Sequence, residues 1–105
     1  MDDLLRFLRS RLDDDRLNAH SIAGALARNA DSLDLHPGRA AAHAQERVTA
    51  AQARIRLLEE TIVPYLWVDG RAGRLAELQL RLMAFEFTAH RDYRTEWAPD
   101  SANPV

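Results

Sequence analysis

Two pairs of side chains in this sequence have the spacing of metal ligands on a helix. His43 and Glu46 are three residues apart, and Glu86 and His90 are four apart. Residues at these spacings share one helix face, so each pair could offer an imidazole and a carboxylate to one ion. Bundles with two-metal carboxylate sites use glutamate/histidine pairs of this kind. A metal-binding bundle or enzyme is therefore one alternative function, although ordinary surface histidines are the favoured interpretation.

The sequence contains no motif that is typical of another kind of catalytic site. The four serines lack the flanking glycines of a nucleophile elbow, and the four glycines match no phosphate-binding loop. The absence of cysteine excludes a disulfide scaffold, a cysteine-ligated zinc site and a cysteine nucleophile. The sequence therefore predicts no catalytic residue and no cofactor, which favours a protein that is not an enzyme.

Charge is balanced along the chain. There are 14 basic residues, all of them arginine, and 16 acidic residues, which gives a formal net charge of −2. Binding to a phosphate backbone needs a concentrated basic face. The second helical segment carries several arginines, but glutamates share that surface: Arg39, Arg47, Arg54 and Arg56 beside Glu46, Glu59 and Glu60. A nucleic-acid-associated regulator is a second alternative function, and nucleic acid is not the expected partner.

The opening residues and the apolar runs predict a cytoplasmic protein. Met1-Asp2-Asp3 lacks the positive charge that begins a secretory signal. The longest apolar run, residues 62–68, contains Pro64 and is much shorter than the roughly 20 residues of a membrane span. We therefore expect no contact with a membrane.

The first element that could position these side chains is an amphipathic helix over residues 3–33. Its apolar residues fall within one arc at helical spacing, interrupted only by Asp15. A carboxylate in such an arc is either a buried acid or the mark of a helix junction, and we favour the junction. The pattern thus predicts one long helix or two helices broken near residues 13–18. The stretch Asp34-Leu35-His36-Pro37-Gly38 then ends this element.

The second segment, from Arg39 to about Val63, carries a heptad seam of small and large apolar residues. Packing against helices of the same chain is favoured, and pairing of two chains is the alternative. The predicted oligomer seam for the second case consists of Ala44, Val48, Ala51, Ile55, Leu58 and Ile62. Pro64 lacks an amide hydrogen and should end or kink the helix. Residues 62–68 are then either a packed loop, which we favour, or a short extended stretch.

The third helix is expected over residues 72–88, with two apolar arcs. Leu75, Leu78, Leu82 and Phe85 form one arc, and Leu80, Met83 and Phe87 form the other. A helix with two apolar faces is usually packed on both sides. One face would then serve the core and the other an interface, which predicts a homodimer or higher oligomer.

The C-terminal segment places two aromatic residues four apart, Tyr93 and Trp97, with Arg94 between them. We favour a clamp in which the rings hold the tail onto the body of the protein. The alternative is a docking site for another protein, since Tyr, Trp and Arg dominate binding hot spots. Residues 100–105, which follow Pro99, are expected to be frayed.

Both ends of the chain resemble a known family. The stretch Met1-Asp2-Asp3-Leu4-Leu5-Arg6-Phe7-Leu8 and the pattern Asp-Tyr-Arg-x-Glu-Trp-x-Pro over residues 92–99 are similar to the termini of small uncharacterised actinobacterial proteins. Such proteins occur in bacterial and phage genomes. The resemblance implies an actinobacterial or phage origin and a cytoplasmic location, and it implies no activity.

Together these patterns predict an all-α protein with one helical domain over residues 1–99. The domain is a small bundle of three main helices, and it is expected to be oligomeric. The predicted function is that of a small, non-enzymatic interaction or accessory factor. Its expected partners are a second copy of itself and another protein.

Overall fold

A computed structural model describes residues 1–29 and 37–99 of the chain. In this part the chain forms three α-helices and no strand: α1 is Asp2–Asn29, α2 is Pro37–Arg56 and α3 is Arg71–Phe85. The all-α prediction is confirmed. The expected frayed segment 100–105 and most of the expected stop at residues 34–38 lie outside the described residues.

Helix α1 runs without interruption through residues 13–18. Asp2 and Asp3 in its first turn and Arg28 in its last turn oppose the partial charges of the helix ends. The alternative of two helices is therefore wrong, and so is the interpretation of Asp15 as a helix junction. Asp15 lies in mid-helix instead, with its carboxylate 4.0 Å from the guanidinium of Arg54.

Helix α2 begins at Pro37, where a missing amide hydrogen costs no helical bond. Its α-helical pattern ends at Arg56, earlier than the expected Val63, and continues as a π-helical turn over Leu57–Ile62. A 3₁₀ turn over Val63–Tyr65 follows and contains Pro64. The change of pattern lies just ahead of a proline that cannot donate to the Glu60 carbonyl. Residues 62–65 thus lie in helical turns, and residues 66–68 form turn and loop, so the extended alternative for residues 62–68 is wrong. The expected packed loop is found only over 66–68, where Trp67 and Val68 are 60% and 46% exposed.

Two glycines shape the start of α3. Gly70 precedes the helix with φ 87°, a left-handed conformation that glycine adopts without steric cost. At Gly73 a β-carbon would lie 1.8 Å from the Val68 carbonyl oxygen, so the loop before α3 touches the bare helix backbone. The helix ends at Phe85, three residues before the expected end, and the chain continues in tight turns.

The described chain divides into two compact units. One consists of Met1–Arg11 with the described part of Arg56–Val105, and the other is Leu12–Ile55. The prediction of a single domain over residues 1–99 stays a prediction. Leucine and aromatic side chains form the core of the first unit: Leu4, Leu5, Phe7, Leu8, Leu58, Ile62, Leu66, Leu80 and Trp97 are buried. In the second unit the buried side chains are mostly small: Leu12, Ala19, Ala44, Val48 and Ala51.

Candidate functional site

Phe7 is the centre of an aromatic cluster in the first unit. Its ring lies 5.1 Å from that of Trp97, 6.0 Å from that of Tyr93 and 6.4 Å from that of Phe87, measured between centroids. The rings of Tyr93 and Trp97 meet edge to face at 5.7 Å. Such pairs stabilise beyond the area they bury. The cluster therefore attaches the C-terminal segment to the first turns of α1.

Polar contacts hold the same segment in place. The Arg81 guanidinium donates to the Glu96 carbonyl oxygen at 2.8 Å, and Arg94 forms an ion pair with Asp3 at 3.3 Å. Arg94 also lies over the ring of Trp97, 5.3 Å from its centroid. Trp97 is only 8% exposed. These contacts are those of a clamp, the favoured interpretation of the tail, and Arg94 is the exposed member of the predicted docking residues.

The hydroxyl group of Tyr93 is buried and has no hydrogen-bond partner among the described residues. Burial raises the pKa of Tyr93 above its ordinary value of 10.0, and the positive charge of Arg81 partly opposes that increase. The phenol therefore stays protonated at neutral pH. A protonated phenol is unsuited to act as a base.

A groove runs along the surface beside the aromatic cluster. It has a volume of about 510 Å³ and lies between the first three turns of α1 and residues 91–97. We call it the arginine groove, because its charged lining consists of Arg6, Arg11, Arg91, Arg94, Asp3 and Asp92. Sequence reasoning identified Arg94, Tyr93 and Trp97 but missed Arg6 and Arg11. The available signal was the four-residue spacing of Phe7 with Arg11 and of Arg6 with Ser10, which places each pair on one helix face.

His90 lies at the edge of the cluster, between Arg11 and Asp92. An Arg11 amino group contacts the imidazole Nε2, and the Asp92 backbone N–H donates a hydrogen bond to Nδ1 at 3.1 Å. The Asp92 carboxylate lies 3.9 Å from the same Nδ1. Both nitrogens then have neighbours, so a metal would have to displace one of them.

The other candidate metal ligands give no more support to a metal site than His90 does. His43 and Glu46 are exposed on α2, one turn apart. Glu86 and His90 follow the end of α3, where the chain turns by 3₁₀-type bonds, so their spacing is no longer that of one helix face. In the described ranges, no three His, Cys, Asp or Glu side chains come together as metal ligands.

Helix α3 presents opposite faces to the core and to solvent. Leu80, Ala76, Ala84 and Gly73 are buried on one face. On the opposite face, Leu75, Leu78, Leu82 and Phe85 are each between 42% and 54% exposed. We call these four residues the outer stripe of α3. They follow the 3-4-3 spacing of a helix that pairs with another helix.

The predicted oligomer seam is mostly covered within one chain. Ala44, Val48 and Ala51 are buried in the second unit, Leu58 and Ile62 in the first, and Ile55 is half-buried. Whether these residues pair two chains stays a prediction. They expose much less apolar surface for pairing than the outer stripe does.

The arginines of the second helical segment lie among acidic partners. Arg56 pairs with Glu60 at 3.2 Å, and Arg54 lies 4.0 Å from Asp15. In the first unit Arg9 makes a two-bond contact with Glu59 at 2.7 and 2.9 Å. Hydrogen bonding from Arg9 lowers the pKa of Glu59. These pairs form a mixed-charge surface, which does not favour binding to a phosphate backbone.

The fold and these surfaces define an all-α protein whose candidate functional features are an exposed apolar helix face and a groove rich in arginine. None of the helices in the described ranges combines the length and apolar character of a membrane crossing. The chain belongs to DUF6221, a family of unknown function, which matches residues 1–99. Comparison with curated proteins and with solved structures finds no match.

Proposed function

We propose that this protein is a helical interaction factor that acts by binding rather than by catalysis, and that it pairs with a second copy of itself. The observation that carries the proposal is the outer stripe of α3, four large apolar side chains left about half exposed. An interface between copies would remove this surface from water. An actinobacterial or phage origin and a cytoplasmic location belong to the same proposal. The two terminal motifs and the lack of cysteine support them.

The exposed area is sufficient for a moderate affinity. The stripe exposes on the order of 350 Å², within the range of apolar patches that are often functional. Two copies would bury about twice that area, for a gross gain of ~17 kcal/mol. Association costs an estimated ~4–15 kcal/mol. The gross gain minus this cost gives a range of net binding free energies that includes the ~8 kcal/mol of a micromolar dimer. Flanking polar residues would enlarge the interface towards about 800 Å² per copy.

The stripe itself contains no charge. Its neighbour Arg81 is held within the chain, by the Glu77 carboxylate at 3.1 Å and the Glu96 carbonyl oxygen at 2.8 Å. Pairing of the two copies therefore depends on the four apolar side chains.

Sedimentation equilibrium tests the proposal. We expect the unmodified protein to form a dimer at micromolar concentration and the double variant Leu78→Glu/Leu82→Glu to remain a monomer with unchanged helix content. The matched control is Leu17→Glu/Leu57→Glu, which places the same charges at equally exposed leucines outside the stripe. This control should remain dimeric.

Two results would contradict self-association through α3. One is an unmodified protein that sediments as an 11.9 kDa monomer at every concentration. The other is a Leu78→Glu/Leu82→Glu variant that dimerises as strongly as the unmodified protein. In the second case the dimer would use another surface, for which the α2 seam is the first candidate.

A further inference from the structure

We propose that the arginine groove is a binding site for a small phosphate-bearing molecule. The groove is separate from the outer stripe of α3, and the proposal does not depend on dimerisation. It rests on the charge of the lining, on two exposed guanidinium groups without a partner in the described ranges and on the rigidity of the walls.

The lining has more positive charge than its own acids neutralise. Four arginines and two aspartates line the groove, although acidic residues outnumber basic ones in the whole chain. Asp3 already forms an ion pair with Arg94 at 3.3 Å, and Asp92 lies 3.9 Å from the ring of His90. The excess positive charge attracts an anion.

The two exposed guanidinium groups belong to Arg6 and Arg91. Among residues 1–29 and 37–99, their side chains make neither an ion pair nor a hydrogen bond. Arg6 belongs to the α1 wall and Arg91 to the opposite wall, so an anion in the groove has donors on both sides. The hydroxyl of Ser10 also lines the groove and can donate a third hydrogen bond.

The walls are held in position before any ligand binds. Contact between Phe7 and Trp97 joins them at 5.1 Å, and the Arg94–Asp3 ion pair joins them a second time. Arg81 holds the Glu96 carbonyl oxygen from beneath at 2.8 Å. The backbone of both walls is therefore in place before binding, and the freedom to be lost is that of the Arg6 and Arg91 side chains.

A phosphate group fits these donors better than the alternatives. The planar fork of arginine matches phosphate and carboxylate oxygens. A single carboxylate is filled by one fork, whereas a phosphate has enough oxygens for two forks and a hydroxyl. Phe7 and Trp97 are buried, Arg94 lies over Trp97, and Tyr93 packs edge to face on both rings. This arrangement does not favour base stacking, which single-stranded nucleic acid uses. A volume of about 510 Å³ is that of a small-molecule site.

The two tryptophans allow a direct test by NMR. Pyrophosphate is titrated into the ¹⁵N-labelled protein while sodium chloride keeps the ionic strength constant. The indole N–H signal of Trp97, in the groove, should shift until it saturates. The signal of Trp67, which is 60% exposed and outside the groove, should stay in place. A single-stranded oligonucleotide is titrated in parallel.

Charge-removing variants locate the site. In Arg6→Gln/Arg91→Gln the affinity for pyrophosphate should fall by about tenfold for each guanidinium removed. Arg71→Gln/Arg74→Gln is the matched control, because it removes two arginines of the same unit that do not line the groove. Its affinity should not change. Arg6→Lys/Arg91→Lys keeps the positive charge but removes the planar fork of the guanidinium, so it should bind pyrophosphate with intermediate affinity. If the glutamine variant fails to fold, the affinity of this lysine variant tests the proposal.

Four outcomes would overturn the proposal. They are no saturable shift of the Trp97 signal, equal movement of the Trp67 signal, equal loss of affinity in the control variant, and binding of the oligonucleotide without binding of pyrophosphate. The second and third would indicate general attraction to surface charge, and the fourth a nucleic-acid interface.

Discussion

Replacement of Gly73 by alanine should destabilise the protein, because the loop before α3 occupies the space that a side chain needs. A β-carbon at this position would lie 1.8 Å from the Val68 carbonyl oxygen and 3.0 Å from its carbonyl carbon. Both are backbone atoms, so no side chain can rotate away. A normal separation of roughly 3.5 Å requires the loop and the helix to move apart by roughly 1.7 Å.

The size of the effect follows from two opposing contributions. Overpacking in a well-packed site costs about 1–3 kcal/mol, and more when backbone must move. Alanine in place of glycine favours a helix by about 1 kcal/mol. We expect the free energy of unfolding to fall by about 2 kcal/mol. At roughly 4 °C or more for each kcal/mol, the melting temperature should fall by about 8 °C.

Gly24→Ala is the matched control within the same chain. This glycine lies inside α1, and its nearest neighbour to a new β-carbon is the far end of the Arg28 side chain at 3.3 Å. A flexible side chain can move, so the gain in helix propensity should remain. The control should therefore leave the melting temperature unchanged or raise it slightly.

Thermal unfolding followed by circular dichroism measures both variants, and tryptophan fluorescence reports on the first unit, which contains both tryptophans. If Gly73→Ala melts at or above the temperature of the unmodified protein, the close approach of the loop to α3 is wrong. The same reasoning fails if Gly24→Ala loses as much stability as Gly73→Ala.

Three further changes test the core, the second unit and an ion pair. Trp97→Ala should lower the free energy of unfolding by about 3–5 kcal/mol, whereas Trp67→Ala, at an exposed ring, should change it by less than about 0.5 kcal/mol; equal effects in urea titrations would contradict the clamp. Ala51→Leu should cost about 1–3 kcal/mol by overpacking, and an unchanged or raised melting temperature would show that this position faces a void or solvent. Hydrogen bonding to Arg9 depresses the pKa of Glu59 below 4.5, so the pair stabilises the fold above that pH and loses this effect as the pH falls through the lowered value. Because both side chains are partly exposed, Glu59→Gln should cost only a few tenths of a kcal/mol at pH 7 and nothing at about pH 2, and a cost that grows in acid would refute this sign.

The helices follow from local features of the sequence. Apolar residues at helical spacing and the aspartates at the start of α1 each act over a few residues, so their effect can be predicted without a fold. The sequence pattern places Pro37 in the stop between the first two helices, whereas α2 begins at this residue. The end of the α-helical pattern at Arg56 was missed, because the sequence indicates where Pro64 disrupts a helix but not how far ahead the backbone adjusts.

The choice between the two faces of α3 needed the tertiary structure. Both arcs are apolar, and periodicity treats them alike. The core lies on the face of Leu80, where Gly73, Ala76 and Ala84 let neighbouring backbone approach closely, and the bulkier outer stripe is left in solvent. Small residues by themselves do not identify the buried face of a helix, because their effect on packing depends on which segment lies against them.

Sequence alone determined that this chain is helical, amphipathic and without a recognisable catalytic motif, because those properties depend on residue types and short spacings. Tertiary structure alone decided that Phe7 meets Tyr93 and Trp97, and that Arg6 and Arg91 line one groove. These residues are more than 80 positions apart in the chain. Their meeting depends on how distant segments pack, and no local pattern specifies that packing.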